Sequence, residues 1–191
     1  MNRVLVMLVG EPGSGKTTAM RALTAAYART EVSLGGCPFM RLDSDHPPPG
    51  MPATIIELGR DREGHFGGTD ALAMNISPKA IAAMGLLHPG LVLAEGDRLA
   101  HDRFLGACED QGWTVHVAAL ATPPHLAAER RAERGTGQNE TWVRGRRTKA
   151  VALAQRWGAA RIDGTGSPEA VAALLREQII AWNPTKGLLN S

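Results

Sequence analysis

Short apolar runs alternate with amphipathic stretches along the whole chain. Val4-Leu5-Val6-Met7-Leu8-Val9 is continuous, too short for a helix and rich in valine, which predicts a buried strand over 3–9. Ala19, Met20, Leu23, Ala26 and Tyr27 share one face of a predicted helix over 16–29. Phe39–Leu42, Thr54–Leu58, Leu91–Ala94, Thr114–Leu120 and Arg161–Asp163 read as further strands. Helices are predicted over 77–87, 101–111, 123–134, 141–157 and 167–182, several with Ser-Pro or Pro-Pro at the start and Gly just past the end. Pro47-Pro48-Pro49-Gly50 breaks regular structure, 59–75 is a Gly-rich charged loop, and the tail after Pro184 is expected to be loose. Strand and helix in alternation predict an α/β domain over 1–191, with a largely parallel sheet covered on both faces.

Composition narrows this little. The 191 residues are 43% hydrophobic and 21% charged, as in ordinary globular domains rather than disordered ones. Lys plus Arg is 21 against 19 Asp plus Glu, a formal charge of +2 that neither demands nor excludes nucleic acid. Two cysteines, Cys37 and Cys108, cannot build a disulfide framework, so a reducing cytoplasm is the expected location. The N-terminal apolar run ends at Gly10-Glu11-Pro12, far short of the roughly 20 residues of a bilayer span, so no membrane association is expected.

The sharpest motif follows that run. Gly10-Glu11-Pro12-Gly13-Ser14-Gly15-Lys16-Thr17 matches G-x-x-x-x-G-K-[ST] at every fixed position, with a predicted strand before it and a helix after it. Glycines let successive backbone N–H groups point at phosphate oxygens, and the helix adds its positive N-terminal end. Lys16 is expected to reach the β- and γ-phosphates, Thr17 to ligate Mg²⁺, and Thr18 to lie beside the nucleotide. The chain lacks the N/T-K-x-D pattern of a GTPase and is too short for a helicase.

Ligands of parallel sheets bind outside the carboxyl ends of strands. Two acidic clusters follow strands here, Asp43-Ser44-Asp45 and Glu95-Gly96-Asp97-Arg98. Glu95 is the expected second Mg²⁺ residue. Asp43, Asp45 and Asp97 are candidates to orient or deprotonate an attacking hydroxyl, and Asp97 with Arg98 to bind the acceptor, against the plainer roles of helix caps and partners for Arg41 or Arg98. In the Gly-rich insert, about 59–76, Arg60 is a candidate for phosphate, Phe66 for stacking, and Thr69 with Asp70 for polar edges of an acceptor. A flexible surface loop is the alternative. Basic residues crowd about 130–149 (Arg130, Arg131, Arg134, Arg144, Arg146, Arg147, Lys149), and Arg130 and Arg134 share a helix face. Such a segment suits a lid that excludes water and stabilises transferring charge, with Arg130 and Arg134 the nominated catalytic arginines. Asn139 and Trp142 either contact a base or serve the helix start. The histidines and cysteines show no metal-ligand spacing.

Together the phosphate loop, the Pro123…Arg130…Arg134-Gly135 segment and Ile162-Asp163-Gly164-Thr165-Gly166-Ser167-Pro168 resemble the small P-loop kinases of the nucleoside-monophosphate-kinase-like group. That resemblance implies a three-layer P-loop NTPase sandwich with a mostly parallel five-stranded sheet and a helical lid. It also implies ATP with Mg²⁺, and an adenine bordered by Asp163 and Gly164. Gly67-Gly68-Thr69-Asp70-Ala71-Leu72-Ala73-Met74, Ala94 to Leu99 and Gln138 to Lys149 further resemble blocks of bacteriophage P-loop kinases, some of them nucleotide kinases and others 5-hydroxymethyluracil DNA kinases. The implied activity is γ-phosphoryl transfer to a nucleotide-type acceptor, with hydroxymethylpyrimidine DNA in a phage-infected host cytoplasm as the specific expectation. The alternatives are a deoxynucleoside monophosphate kinase, a small-metabolite kinase and a non-catalytic nucleotide-binding regulatory module.

Overall fold

The computed structural model describes residues 2–61, 67–135 and 138–183. One seven-stranded sheet organises the chain, in the order β2-β3-β4-β5-β1-β6-β7. Its strands are β1 (Arg3–Val9), β2 (Ala28–Leu34), β3 (Cys37–Asp43), β4 (Thr54–Leu58), β5 (Gly90–Glu95), β6 (Thr114–Ala121) and β7 (Ala160–Asp163). The helices are α1 (Lys16–Leu23), α2 (Ser77–Leu86), α3 (Asp102–Asp110), α4 (Pro124–Glu133), α5 (Glu140–Arg156) and α6 (Pro168–Trp182). β4, β5, β1, β6 and β7 run parallel, whereas β3 is antiparallel to both of its neighbours.

β1 lies between β5 and β6, so both of its faces are buried, as a continuous apolar run requires. Val4, Val6 and Leu8 pack with Ala19, Met20 and Leu23 of α1 and with Leu175 and Ile179 of α6. Leu5, Met7 and Val9 face the other core, with Met84 of α2, Phe104 of α3 and Leu153 of α5. Trp113 closes the base of that second core, its Nε1 donating to the Met84 carbonyl at 3.2 Å. Among the described residues no helix is long and apolar enough to cross a membrane.

Two sequence expectations change. The parallel part of the sheet does have five strands, but a hairpin of β2 and β3 widens it to seven. The helix expected over 16–29 ends at Leu23, because Ala28–Leu34 pairs with β3 over its whole length. Thr30, Val32 and Leu34 alternate with polar residues, and Gly35-Gly36 joins the strands with Leu34 opposite Cys37. Both glycines have positive φ, 59° and 74°, as a two-residue hairpin turn demands. Gly35-Gly36 is the sequence signal of this hairpin. The loose-tail expectation lies outside the described residues.

A β-carbon at Gly35 would meet nothing within 4 Å, so a side chain there tests backbone conformation alone. Gly35→Ala is expected to lower unfolding stability by about 1 kcal/mol in urea denaturation, and Gly35→Asn by less. Equal stability of Gly35→Ala and the native chain would rule out this turn.

Candidate active site

The phosphate loop leaves the carboxyl end of β1 and enters α1 through Gly15, whose φ of 97° lies in the left-handed region. Gly13, with φ of 83°, passes under α4 so closely that a β-carbon would collide with the Ala127 carbonyl oxygen. α4 thus clamps the loop, and its arginines hold it. Arg130 Nη1 donates to the carbonyls of Ser14 (3.2 Å) and Gly164 (3.0 Å), and Arg131 Nη1 to that of Pro12 (2.6 Å). Arg134 Nη2 donates to Thr18 Oγ1 at 3.3 Å. Lys16 Nζ folds back to the carbonyls of Gly10 (2.9 Å) and Glu11 (3.1 Å).

Pairing of β1 with β5 sets Leu8 opposite Glu95, which brings that carboxylate beside the loop. Thr17 Oγ1 donates to Glu95 Oε1 at 2.9 Å. Glu95 is only 2% exposed, and burial pushes its carboxyl up to about 7 although the Lys16 ammonium and the Thr17 hydroxyl both favour the charged form. The cover over Glu95 comes from the Gly-rich insert. Gly68 crosses it with φ of 60°, and a β-carbon there would lie 2.6 Å from Oε1. Thr69 Oγ1 then donates to the Glu95 carbonyl (2.9 Å), and Asp70 Oδ1 accepts from the Asp97 N–H (2.7 Å). Gly96, with φ of 109°, reciprocates: a β-carbon on it would press on Thr69 Oγ1 and Asp70. The Gly-Gly-Thr-Asp and Glu-Gly-Asp segments are therefore two halves of one packed junction.

The fit to a nucleotide with Mg²⁺ follows from these atoms. Gly13 and Gly15 hold the left-handed φ that a phosphate-binding loop requires, and Ser14 Oγ is buried without a partner among the described residues. A hydroxyl and a carboxylate are hard oxygen donors, as Mg²⁺ prefers, and Mg²⁺ usually takes few protein ligands beside phosphate and water. The described residues hold no group of three or more His, Cys, Asp or Glu placed to bind a metal.

A cavity of about 380 Å³ joins Lys16, Thr17 and Glu95 to Asp70, Asp97, Arg98, Arg131, Arg134, Gln138, Trp142 and Arg146, with Met74 at its border. A smaller one, about 230 Å³, lies beside Ser14, Gly15, Thr18, Arg130, Arg134, Gly164 and Gly166. Arg134 borders both. Asp163 faces a third cavity instead, and its Oδ1 accepts from the N–H and hydroxyl of Thr165 (3.0 and 2.8 Å).

Several nominated residues lie elsewhere. Because β3 runs against β4, Asp43 stands opposite Thr54, at the amino end of the parallel strands. Five residues of β5 separate that level from Glu95, about 16 Å at the rise of a strand. Asp43 accepts from Arg41 Nε (2.8 Å) and Thr54 Oγ1 (2.7 Å), and these bonds hold its carboxyl below its usual range. Asp45 follows on the same edge. Neither reaches the phosphate loop, so the catalytic assignment of both is withdrawn. Arg60 ion-pairs with Glu31 at 3.4 Å and does not border the cavity. Asn139 caps α5, its Oδ1 accepting from the Thr141 N–H at 2.7 Å. Thr69 is fully buried and its hydroxyl is spent on Glu95. Phe66 lies outside the described residues. Arg131 and Arg146 of the basic segment border the cavity as well, together with Gln138 and Met74.

A phosphate loop clamped by arginines, with a hydroxyl and a buried carboxylate at the head of a parallel sheet, defines a P-loop nucleotide-binding protein. The family model described as P-loop Nucleotide Kinase3 matches residues 1–180, and the chain belongs to that family. Membership makes it a P-loop phosphotransferase of the nucleotide-kinase type and implies use of ATP, typically with Mg²⁺. No curated protein matches the chain significantly.

The raised Glu95 value carries a signed pH dependence. The folded state holds an extra proton between the ordinary carboxyl value of 4.5 and about 7, so this group's contribution to stability is full below 4.5 and is lost as pH rises through 7. Glu95→Gln lacks that loss. Without Mg²⁺, the Tm of Glu95→Gln relative to the native chain is expected to climb steadily from pH 5 to pH 8. A pH-independent difference between the two would show that Glu95 ionises as an ordinary surface carboxyl.

Proposed function

We propose that this protein is an ATP- and Mg²⁺-dependent kinase that transfers the γ-phosphoryl group to a nucleotide-type acceptor. The observation that carries the reading is the single cavity shared by Lys16, Thr17 and Glu95 with Asp70, Asp97 and Arg98, at whose mouth the Trp142 ring is 41% exposed. Loop amides and Lys16 grip the polyphosphate, while Thr17 and Glu95 would hold Mg²⁺, which supplies charge neutralisation between the phosphates. Arg130 braces the loop against the Gly164 turn, where the adenine would lie. Asp97, or Asp70, takes over from Asp43 and Asp45 the task of orienting or deprotonating a hydroxyl. Trp142 offers a face for a planar base.

The specific reading is the hydroxymethyl group of 5-hydroxymethyluracil in phage DNA, supported by the acidic groups that favour a hydroxyl acceptor and by the open aromatic face. Such a base must be flipped out or lie in a single strand to enter. One observation favours a second reading, a deoxynucleoside monophosphate kinase: Arg98, Arg131, Arg134 and Arg146 border the cavity, and a phosphate acceptor needs cations more than a base. Both cysteines are buried and free, which suits a reducing compartment, so the reading includes a cytoplasmic location, that of the host if the chain is phage-encoded.

The deciding measurement is incubation with γ-labelled ATP and either hydroxymethyluracil DNA, thymine DNA or free deoxynucleoside monophosphates. Label confined to hydroxymethyluracil DNA is expected, and Lys16→Ala is expected to lower kcat/KM by about a thousandfold. Label on free monophosphates alone would replace the first reading with the second. ATP binding without transfer to any acceptor would leave the regulatory-module reading.

A further inference from the structure

Five arginines, Arg98, Arg130, Arg131, Arg134 and Arg146, border the two cavities beside the phosphate loop, and the present partners of the last four separate those four into two kinds. Arg130 and Arg131 donate to backbone carbonyls of the loop itself, and Arg134 donates to Thr18 at the start of α1. These contacts belong to the frame that shapes the loop. Arg146 is held differently. Its Nη1 is 3.3 Å from Asp97 Oδ2, and its guanidinium stacks over Trp142 with the carbon 5.2 Å from the ring centroid. Both Arg146 and Asp97 are partly open to solvent, so the pair is weak and exchangeable. The helix does not depend on it for its position, because Lys149 Nζ independently donates to the Asp97 carbonyl at 2.9 Å.

We infer that Arg146 is the catalytic arginine, and that Asp97 and Trp142 form the cradle in which it rests until the γ-phosphoryl group is in transfer. The inference rests on the kinase reading above. A guanidinium is a planar fork that takes phosphoryl oxygens in a bidentate grip, and a phosphoryl group carries more charge than a carboxylate. It therefore draws Arg146 off Asp97. In the transfer the bond from the γ-phosphorus to the bridging oxygen breaks with its electron pair remaining on ADP. A bond to the acceptor oxygen forms, and a hydroxyl acceptor gives its proton to the Asp97 or Asp70 carboxylate, which later passes it to solvent. Arg146 stays protonated throughout and acts only by matching the charge that spreads over the equatorial oxygens. Its departure also uncovers the Asp97 carboxylate and one face of Trp142 at the moment the acceptor needs them.

The test uses the whole chain, with Mg-ADP and aluminium fluoride as a mimic of the transferring group, so that no acceptor has to be known. Arg146→Gln is expected to bind Mg-ATP as the native chain does but to lose its preference for the aluminium fluoride complex by about a hundredfold. Arg146→Lys should recover part of it, and Arg156→Gln, at the far end of α5, should lose nothing. The emission of Trp142, isolated by subtraction of Trp142→Phe, should change when the native chain binds the complex and stay constant in Arg146→Gln. In Asp97→Asn the nucleotide-free emission should already lie near the loaded value. Full analogue affinity in Arg146→Gln, an equal loss for ATP and the analogue, or an unchanged Trp142 signal in the native chain would overturn the assignment. A native chain that binds the analogue no more tightly than ADP would sink the kinase reading itself, and the role of Arg146 with it.

Discussion

Parallel pairing of β1 with β5, with Leu8 opposite Glu95, is the constraint from which the site follows. It delivers the loop and its carboxylate to the same edge of the sheet, on neighbouring strands. A slip of one residue would turn Glu95 to the opposite face and leave Thr17 without its partner. The register is well defended, because both strands are buried on both faces and their side chains feed two separate cores. The core is thus what fixes the geometry of the chemistry, and the loop only has to follow from the end of β1.

How much of this was legible follows from the kind of signal each part leaves. The phosphate loop and Glu95 are local: a motif after an apolar run, and an acid at the end of another. Asp43 and Asp45 looked equivalent to Glu95 on the same grounds. The difference is strand direction, which the sequence encodes only through Gly35-Gly36. Once that pair is read as a tight turn, β3 must run backward and its acidic end must fall on the far edge. The lid arginines pose a different problem. Helical spacing groups Arg130 with Arg134 but says nothing about what each meets: Arg130 donates to the Ser14 and Gly164 carbonyls, whereas Arg134 reaches Thr18 and borders both cavities.

The Gly67–Met74 and Ala94–Leu99 segments pack as one unit. The two segments are not separate substrate-reading elements. Gly68 and Gly96 have no room for a β-carbon because each lies against the other segment, and Thr69 and Asp70 spend a hydroxyl and a carboxylate oxygen on the backbone of 95–97. Neither block packs this way without the other.

That junction explains why a carboxylate so costly to bury is kept. An acid in an apolar site prefers its proton, and Glu95 would be cheaper to the fold as glutamine or leucine. The insert makes the burial deeper by laying Gly68 across it. The same covering keeps the Glu95 carboxylate out of bulk water while Lys16 and Thr17 still border the cavity. A more exposed glutamate would ionise freely, but it would share the site with solvent. The desolvated carboxylate and the Gly68 segment that covers it are therefore one device: burial raises the Glu95 carboxyl to about 7, where a neighbouring cation tips it to the charged form.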